Sequence, residues 1–337
     1  MRPSFNAQLV NRTFGDPGLY VDLKFARRAL LFDLGDVSAL STRKLLRISD
    51  IFVSHTHMDH FYGFDHLLRV CLGRDTGVAL YGPPGFIDQV EHKLLAYTWN
   101  LVEHYETDFV IQAHEVHESG RLRRARFSSR RRFAREMLDE MHVERGVLLK
   151  DAQFSVRAQS FDHHGLPSLA FCFEESVHIN VWKNRLEELG LPTGPWLTEL
   201  KRLARENASP DTPLTVRWRT REGSREKRYE FGFLRDRVLE FVPGERLVYV
   251  TDVAGHEANM RQLIDFAGNA DVLFIESVFL HADEEHARRK AHLTARQAGT
   301  IARCARVRSA IPFHLSTRYM EREQELREEF EKSRRGE

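Results

Sequence analysis

Cysteine is scarce in this chain of 337 residues: Cys71, Cys172 and Cys304 are far apart and odd in number. They form no C-x-x-C pair, so neither a disulfide framework nor a thiolate zinc site is indicated. They read as small buried apolar residues of a reducing compartment. An excess of one charge is also lacking. Lys and Arg total 50 against 49 Asp and Glu, a formal charge of +1. Overall charge therefore gives no argument for a nucleic-acid partner, which would have to rest on local clustering. No apolar stretch approaches the length of a membrane span, and the first residues hold no run of signal-peptide length. The expectation is a soluble cytoplasmic protein with no membrane partner. No repeat of solenoid period occurs.

The chain is 42% hydrophobic, enough to bury a substantial core, and it carries seventeen histidines. Spacing decides which of these matter. The run Ala29-Leu30-Leu31-Phe32 predicts a strand before Asp33, and Ile51-Phe52-Val53 another. Helices are predicted over Phe64 to Cys71 and from about Phe86 to Thr98, with the strand Val78–Tyr81 and the turn Gly82-Pro83-Pro84-Gly85 between them. Leu247–Thr251, Val272–Ile275 and Ile311–Phe313 read as later strands. This alternation indicates an α/β layered fold. Two stretches fit it poorly, at about 113–145 and 177–246, and read as insertions on a single domain spanning 1–337.

Strand Ile51–Val53 runs straight into Ser54-His55-Thr56-His57-Met58-Asp59-His60. At an extended strand end alternate residues point the same way, so His55 and His57 can reach one metal. Where the chain turns, Asp59 and His60 can reach a second. Imidazole and carboxylate suit zinc, and open positions leave room for a water acidified to a nucleophile. The bland alternative, a metal-free His-rich surface loop, is a poor account of four ligand-type residues in six positions. Three later places offer further ligands: His163-His164 after a predicted strand, Asp252 ending Leu247–Thr251, and His314 after Ile311-Pro312-Phe313.

The segment from His55 to His60 resembles the H-x-H-x-D-H signature of metallo-β-lactamase hydrolases, and its surroundings resemble the ribonuclease Z branch. Phe32-Asp33-Leu34-Gly35, Tyr81-Gly82-Pro83-Pro84-Gly85, His164-Gly165-Leu166-Pro167, Thr251-Asp252 and His314-Leu315-Ser316-Thr317-Arg318-Tyr319 each look like a motif of that branch. So do Glu276-Ser277-Val278-Phe279 and Ala291-His292-Leu293-Thr294-Ala295. The resemblance implies a four-layer αββα sandwich with inserted loops and two Zn2+ per chain, Mn2+ being possible. It implies that His55, His57 and His164 hold one ion, Asp59, His60 and His314 the other, with Asp252 shared. Spacing to Pro167 and Ala170-Phe171 selects His164 over His163. Glu276 would orient His292, the general acid for a departing 3′ oxygen, while Asp59 could take a proton and Arg318 contact phosphate. The implied activity is endonucleolytic trimming of the 3′ trailer of precursor tRNA, by a homodimer. Phosphodiesterase action on small substrates such as cyclic nucleotides would use the same site.

The motifs do not account for two features. Eight arginines fall between Arg121 and Arg135, interleaved with Phe127 and Phe133. They read either as a footprint for RNA phosphates or as a solvated helix face paired with Glu136, Asp139 and Glu140, or a subunit contact. The segment from Asn180 to Trp196 lies where some ribonuclease Z proteins extend a tRNA-gripping arm, but reads more readily as a scaffold hairpin or dimer contact. Lactonase or thioesterase activity fits less well, since those branches generally lack the Glu276/His292 pair. A degenerate scaffold protein would show a missing ligand, and a diiron redox protein a flavin domain or an acidic replacement in the histidine loop. His66, His104, His114, His117 and His281 read as structural or surface residues.

Overall fold

The computed structural model describes residues 4–24, 26–220 and 223–337. Its contacts divide the chain into two units, one of residues 1–149, 156–173 and 246–337, the other of 150–155 and 174–245.

In the first unit, eight strands form a sheet in chain order: β1 (Phe5–Leu9), β2 (Leu19–Leu23), β3 (Arg28–Phe32), β4 (Ile48–Phe52), β5 (Thr76–Gly82), β6 (Phe109–Val116), β7 (Arg121–Ser128) and β8 (Arg135–His142). β3 to β6 run parallel, and the flanking pairs are antiparallel. A second sheet has β9 (Val147–Lys150), β10 (Phe154–His163) and β11 (Leu166–Glu175) beside three later strands, β16 (Arg246–Val250), β17 (Val272–Glu276) and β18 (Ser309–Phe313). Its order is β18-β17-β16-β11-β10-β9, and β16, β17 and β18 run parallel.

Alternation within the apolar runs builds the layers. Leu31, Ile51 and Leu80 leave one face of the first sheet and pack with Phe61, Phe64, Leu67, Phe86 and Val90 from the helical side. Their neighbours Phe32, Phe52 and Tyr81 leave the other face and stack in a row, with centroids 5.1 Å and 4.8 Å apart. There Phe171 and Tyr249 of the second sheet meet Phe32 at 5.7 Å and 6.0 Å. Each such aromatic pair adds about 0.5–1.5 kcal/mol beyond its burial. On the far side, Val248, Val250, Leu273 and Ile275 pack with Leu263, Ala298, Ile301 and Phe330 of the outer helices. The result is helix, sheet, sheet, helix, the expected αββα order.

The stretch 113–145 supplies most of β6, β7 and β8: Arg121, Arg123, Arg124 and Arg126 lie on β7, Arg135 on β8, and Arg130 to Arg132 in the tight turn between them, not on an α-helix face. In β7 the buried apolar residues are Leu122, Ala125 and Phe127. A register shift between Leu122 and Arg124 breaks the period-two pattern that would have revealed the strand. Cys71 and Cys172 are buried, but Cys304 is exposed at the end of its helix, contrary to the reading of all three as core. No helix of the described residues is long and apolar enough to cross a membrane.

The second unit takes in most of the stretch 177–246. It pairs β12 (Val177–Val181) with β15 (Leu239–Pro243), and β13 (Pro213–Thr220) with β14 (Gly223–Glu230). Its own core holds Leu186, Trp196, Leu200, Val216, Phe231 and Leu234. Arg221, within the basic segment 217–228, lies outside the described residues.

Candidate metal centre

The chemistry-bearing residues gather where parallel strands end, the usual position of a site in a layered α/β fold. Asp33 follows β3, His55 lies just past β4, Asp252 follows β16, Glu276 ends β17 and His314 follows β18. Asp33, Asp252 and His314 have φ of 57°, 48° and 53°. Left-handed backbone at non-glycine residues costs of order 1–3 kcal/mol each and is held only by surrounding structure.

Two groups of side chains converge. His55, His57, His163 and Asp252 each offer a ligand atom within 4.8 Å of the others, and so do Asp59, His60 and His314. Asp252 lies between them: its Oδ2 is 3.7 Å from His55 Nε2 and 3.6 Å from His163 Nε2. Its Oδ1 is 3.3 Å from His60 Nε2 and 3.0 Å from His314 Nδ1. Asp59 Oδ2 closes the second group at 3.4 Å from His314 Nε2.

The histidine facing this cluster is His163, not His164. Strand alternation along β10 turns Phe161 and His163 inward, and both are buried. His164 and Gly165 form the tight hairpin turn, with φ of 56° and 81°, as a two-residue turn of the primed type requires. That leaves His164 exposed. His163 Nδ1 lies 3.0 Å from the Ala291 carbonyl, which accepts its hydrogen and leaves Nε2 for the cluster.

Asp33, not among the residues selected from sequence, supports the floor of the site. It accepts from Ser54 N (2.7 Å), Tyr249 OH (2.9 Å) and His60 Nδ1 (3.0 Å), and is fully buried. A carboxylate directly after a buried strand was the available signal. Nearby, Gly35 has no room for a side chain: a Cβ there would lie 2.4 Å from the Asp59 carbonyl oxygen.

The donor set fits divalent metal. His55 Nε2 and His60 Nε2 are buried without a hydrogen-bond partner, although each faces carboxylate oxygen. An unsatisfied buried polar atom costs about 1–3 kcal/mol, which coordination would remove. Burial, then the neighbouring His60, lowers the His55 pKa to about 2, keeping it in the neutral form that binds metal. Burial opposes charge on His60 and His314 as well. There Asp252 prevails, aided at His60 by Asp33, and raises both, His314 to about 10. The carboxylates thus demand positive charge, which a cation supplies without those protons.

Beside the cluster, His292 Nδ1 lies 2.8 Å from Glu276 Oε2. Glu276 Oε1 accepts from Val253 N (3.1 Å) and Leu293 N (3.0 Å), so the carboxylate is fixed at both oxygens. Burial disfavours charge on His292, but Glu276 outweighs it and raises the pKa. Arg318 is half exposed, with Nη1 3.7 Å from Asp283 Oδ1, and lines a cavity shared with Asp59, His292 and His314.

Most arginines of β7, β8 and the turn between them are ion-paired. Arg123 pairs with Glu115 (3.0 Å), Arg131 with Glu136 (3.0 Å), Arg135 with Asp88 (2.7 Å), and Arg132 with Glu103. His114 is buried in a stack on Tyr81, with centroids 4.5 Å apart.

No family model matches the chain. The chain is 29% identical to a protein named ribonuclease Z from Deinococcus radiodurans, over 94% of this chain and 91% of that one. To another of that name from Enterococcus faecalis it is 28% identical, over 91% and 83%. Among solved structures, the metallo-β-lactamase fold protein YhfI from Bacillus subtilis superposes with a TM-score of 0.54 at 13% identity, over 97% of this chain and 92% of that one. Human tRNase Z, short form, gives 0.50 at 18%, over 94% and 92%. The chain therefore has the metallo-β-lactamase fold and is similar over nearly its whole length to proteins named ribonuclease Z.

Proposed function

We propose that the protein is a two-metal endoribonuclease that removes the 3′ trailer from precursor tRNA. The observation that carries this is the Glu276–His292 pair, 2.8 Å apart, beside the seven-residue cluster. The names of its sequence relatives support the substrate. His55, His57 and His163 would hold one ion and Asp59, His60 and His314 the other, with Asp252 shared. Imidazole and carboxylate donors favour zinc, with manganese the next fit. Bound there, the ions supply Lewis acidity toward water and phosphate oxygen.

The chain's own residues do the rest. Glu276 holds His292 by Nδ1, leaving Nε2 to carry a proton to the departing 3′ oxygen. The charge of Glu276 favours the protonated imidazole that this role needs. Asp59, partly open at the second group, can accept a proton from the attacking water. Arg318 offers its guanidinium to substrate phosphate on the cavity wall. A homodimer working in the cytoplasm belongs to the same proposal, and light scattering tests its assembly.

The decisive assay is cleavage of a precursor tRNA bearing a 3′ trailer by zinc-loaded protein, beside bis-p-nitrophenyl phosphate and cyclic nucleotides. Site-specific cutting abolished by both His57→Ala and His292→Ala is the expected result. Turnover of small diesters alone would remove RNA as substrate, and no turnover of any phosphodiester would sink the reading altogether.

A further inference from the structure

Two cavities meet at His292. One, of about 630 Å³, is lined by Asp162, His164, Glu284, Glu285, Arg288 and Gln297. The other, of about 650 Å³, is lined by Asp59, His286, Lys290, His314 and Arg318, with Phe14 and Phe279 as apolar wall. The short helix Glu284–Lys290 separates the charges between them. Its two glutamates and Arg288 line the first cavity, whereas His286 and Lys290, four apart and so on one face, line the second.

We propose that Lys290, with His286 and Arg318, forms a subsite for a backbone phosphate next to the linkage being cut. This deepens the RNA reading above and rests on it. Lys290 is exposed and has no ion-pair partner among the described residues. Among the described residues, the Arg318 guanidinium has only its 3.7 Å contact with Asp283. His286 packs its ring against Phe279, centroids 5.0 Å apart. Desolvation, then the positive charges of Arg318, Arg289 and Lys290, lowers its proton affinity against a smaller opposing pull from Asp283. The carboxylates on the same wall are engaged elsewhere: Asp59 with His314 and His60, and Asp16 with the Asp36 amide at 3.1 Å. In this second cavity the basic side chains Lys290 and Arg318 outnumber the one carboxylate outside the histidine cluster, Asp16, where a flanking phosphate of a polynucleotide would pass and a lone small diester has none.

The test is equilibrium binding of a fluorescent precursor tRNA to the full-length, metal-loaded protein across a salt series. Lys290→Ala is compared with Lys290→Arg, and with Lys332→Ala on the exposed face of the C-terminal helix. Lys290→Ala should weaken binding about five-fold and reduce the slope of log affinity against log salt by roughly one, while Lys290→Arg keeps both. In cleavage, the loss should fall on KM, with kcat within about two-fold. Wild-type binding with an unaltered Lys290→Ala affinity and slope would overturn the subsite alone. If the wild type bound no precursor tRNA, the RNA reading would fall and take the subsite with it.

Discussion

Asp33 Oδ2 lies 3.0 Å from His60 Nδ1, and with the Ser54 hydroxyl at 3.2 Å this contact fixes which nitrogen of His60 faces the cluster. With Nδ1 held by the carboxylate, Nε2 is directed at Asp252 and Asp59. Asp33 reaches His60 because β3 and β4 are parallel neighbours whose ends lie side by side. The same carboxylate anchors Ser54 and Tyr249, so it links both sheets to one histidine.

Replacing Asp33 with Ala leaves Ser54 N, Tyr249 OH and His60 Nδ1 without an acceptor in a dry interior. Stability should fall by about 3–5 kcal/mol. Metal affinity should fall about 10–100-fold, as for other outer contacts of metal-binding histidines. Chelator competition and thermal melting measure the two effects, and unchanged metal affinity would show that His60 needs no such support.

His163 and His164 should behave oppositely. His163→Ala removes a cluster imidazole and should cut bound metal, read by elemental analysis, toward one ion per chain. His164→Ala alters an exposed turn residue and should leave metal content intact, with stability changed by about 0.5 kcal/mol or less. The reverse pattern would mean that the hairpin turn is misassigned.

Glu276→Gln keeps the shape of the side chain but removes the charge that favours protonated His292. A fall in kcat of about 10²–10⁴-fold is expected for Glu276→Gln and for His292→Ala alike. The double variant should be little worse than either single, because the two act as a unit. Additive losses would separate them.

Gly35→Ala places a methyl group 2.4 Å from the Asp59 carbonyl oxygen and 2.6 Å from that of Pro17. Both contacts are backbone, so the Asp59 turn must shift. A displacement near 1 Å at a reacting group can cost about 10²-fold in rate. Activity should therefore fall far more than the melting temperature, and a variant with wild-type turnover would show that the turn yields freely.

The arginines of β7 and its following turn should matter little to RNA binding. Arg131 is paired with Glu136 on an exposed surface, where such pairs contribute about 0–1 kcal/mol. Arg131→Ala is expected to change precursor tRNA affinity less than about two-fold, and a ten-fold loss would restore these strands as an RNA footprint.

Much of the site was legible because its ligands cluster in sequence or end apolar runs. His55, His57, Asp59 and His60 fall within six positions, and Asp252 and His314 each follow a strand of recognisable pattern. Asp33 lies in the Phe32–Gly35 motif, yet nothing local to it in sequence names His60 as its partner. The arginine-rich strands were illegible for another reason: the bulge near Leu122 offsets their buried residues from a strict alternation.

By itself the sequence determined the strand-and-helix order outside 113–145 and 177–246, the residue types able to bind metal, and the chemistry open to them, because periodicity and donor type are local properties. Tertiary structure decided the rest. It chose His163 over His164 because strand pleating and a left-handed turn, not residue type, set where each ring points. It joined Asp252 to both groups of ligands. It also set Lys290 and His286 beside Arg318, since only packing brings one helix face against a loop that follows the last strand.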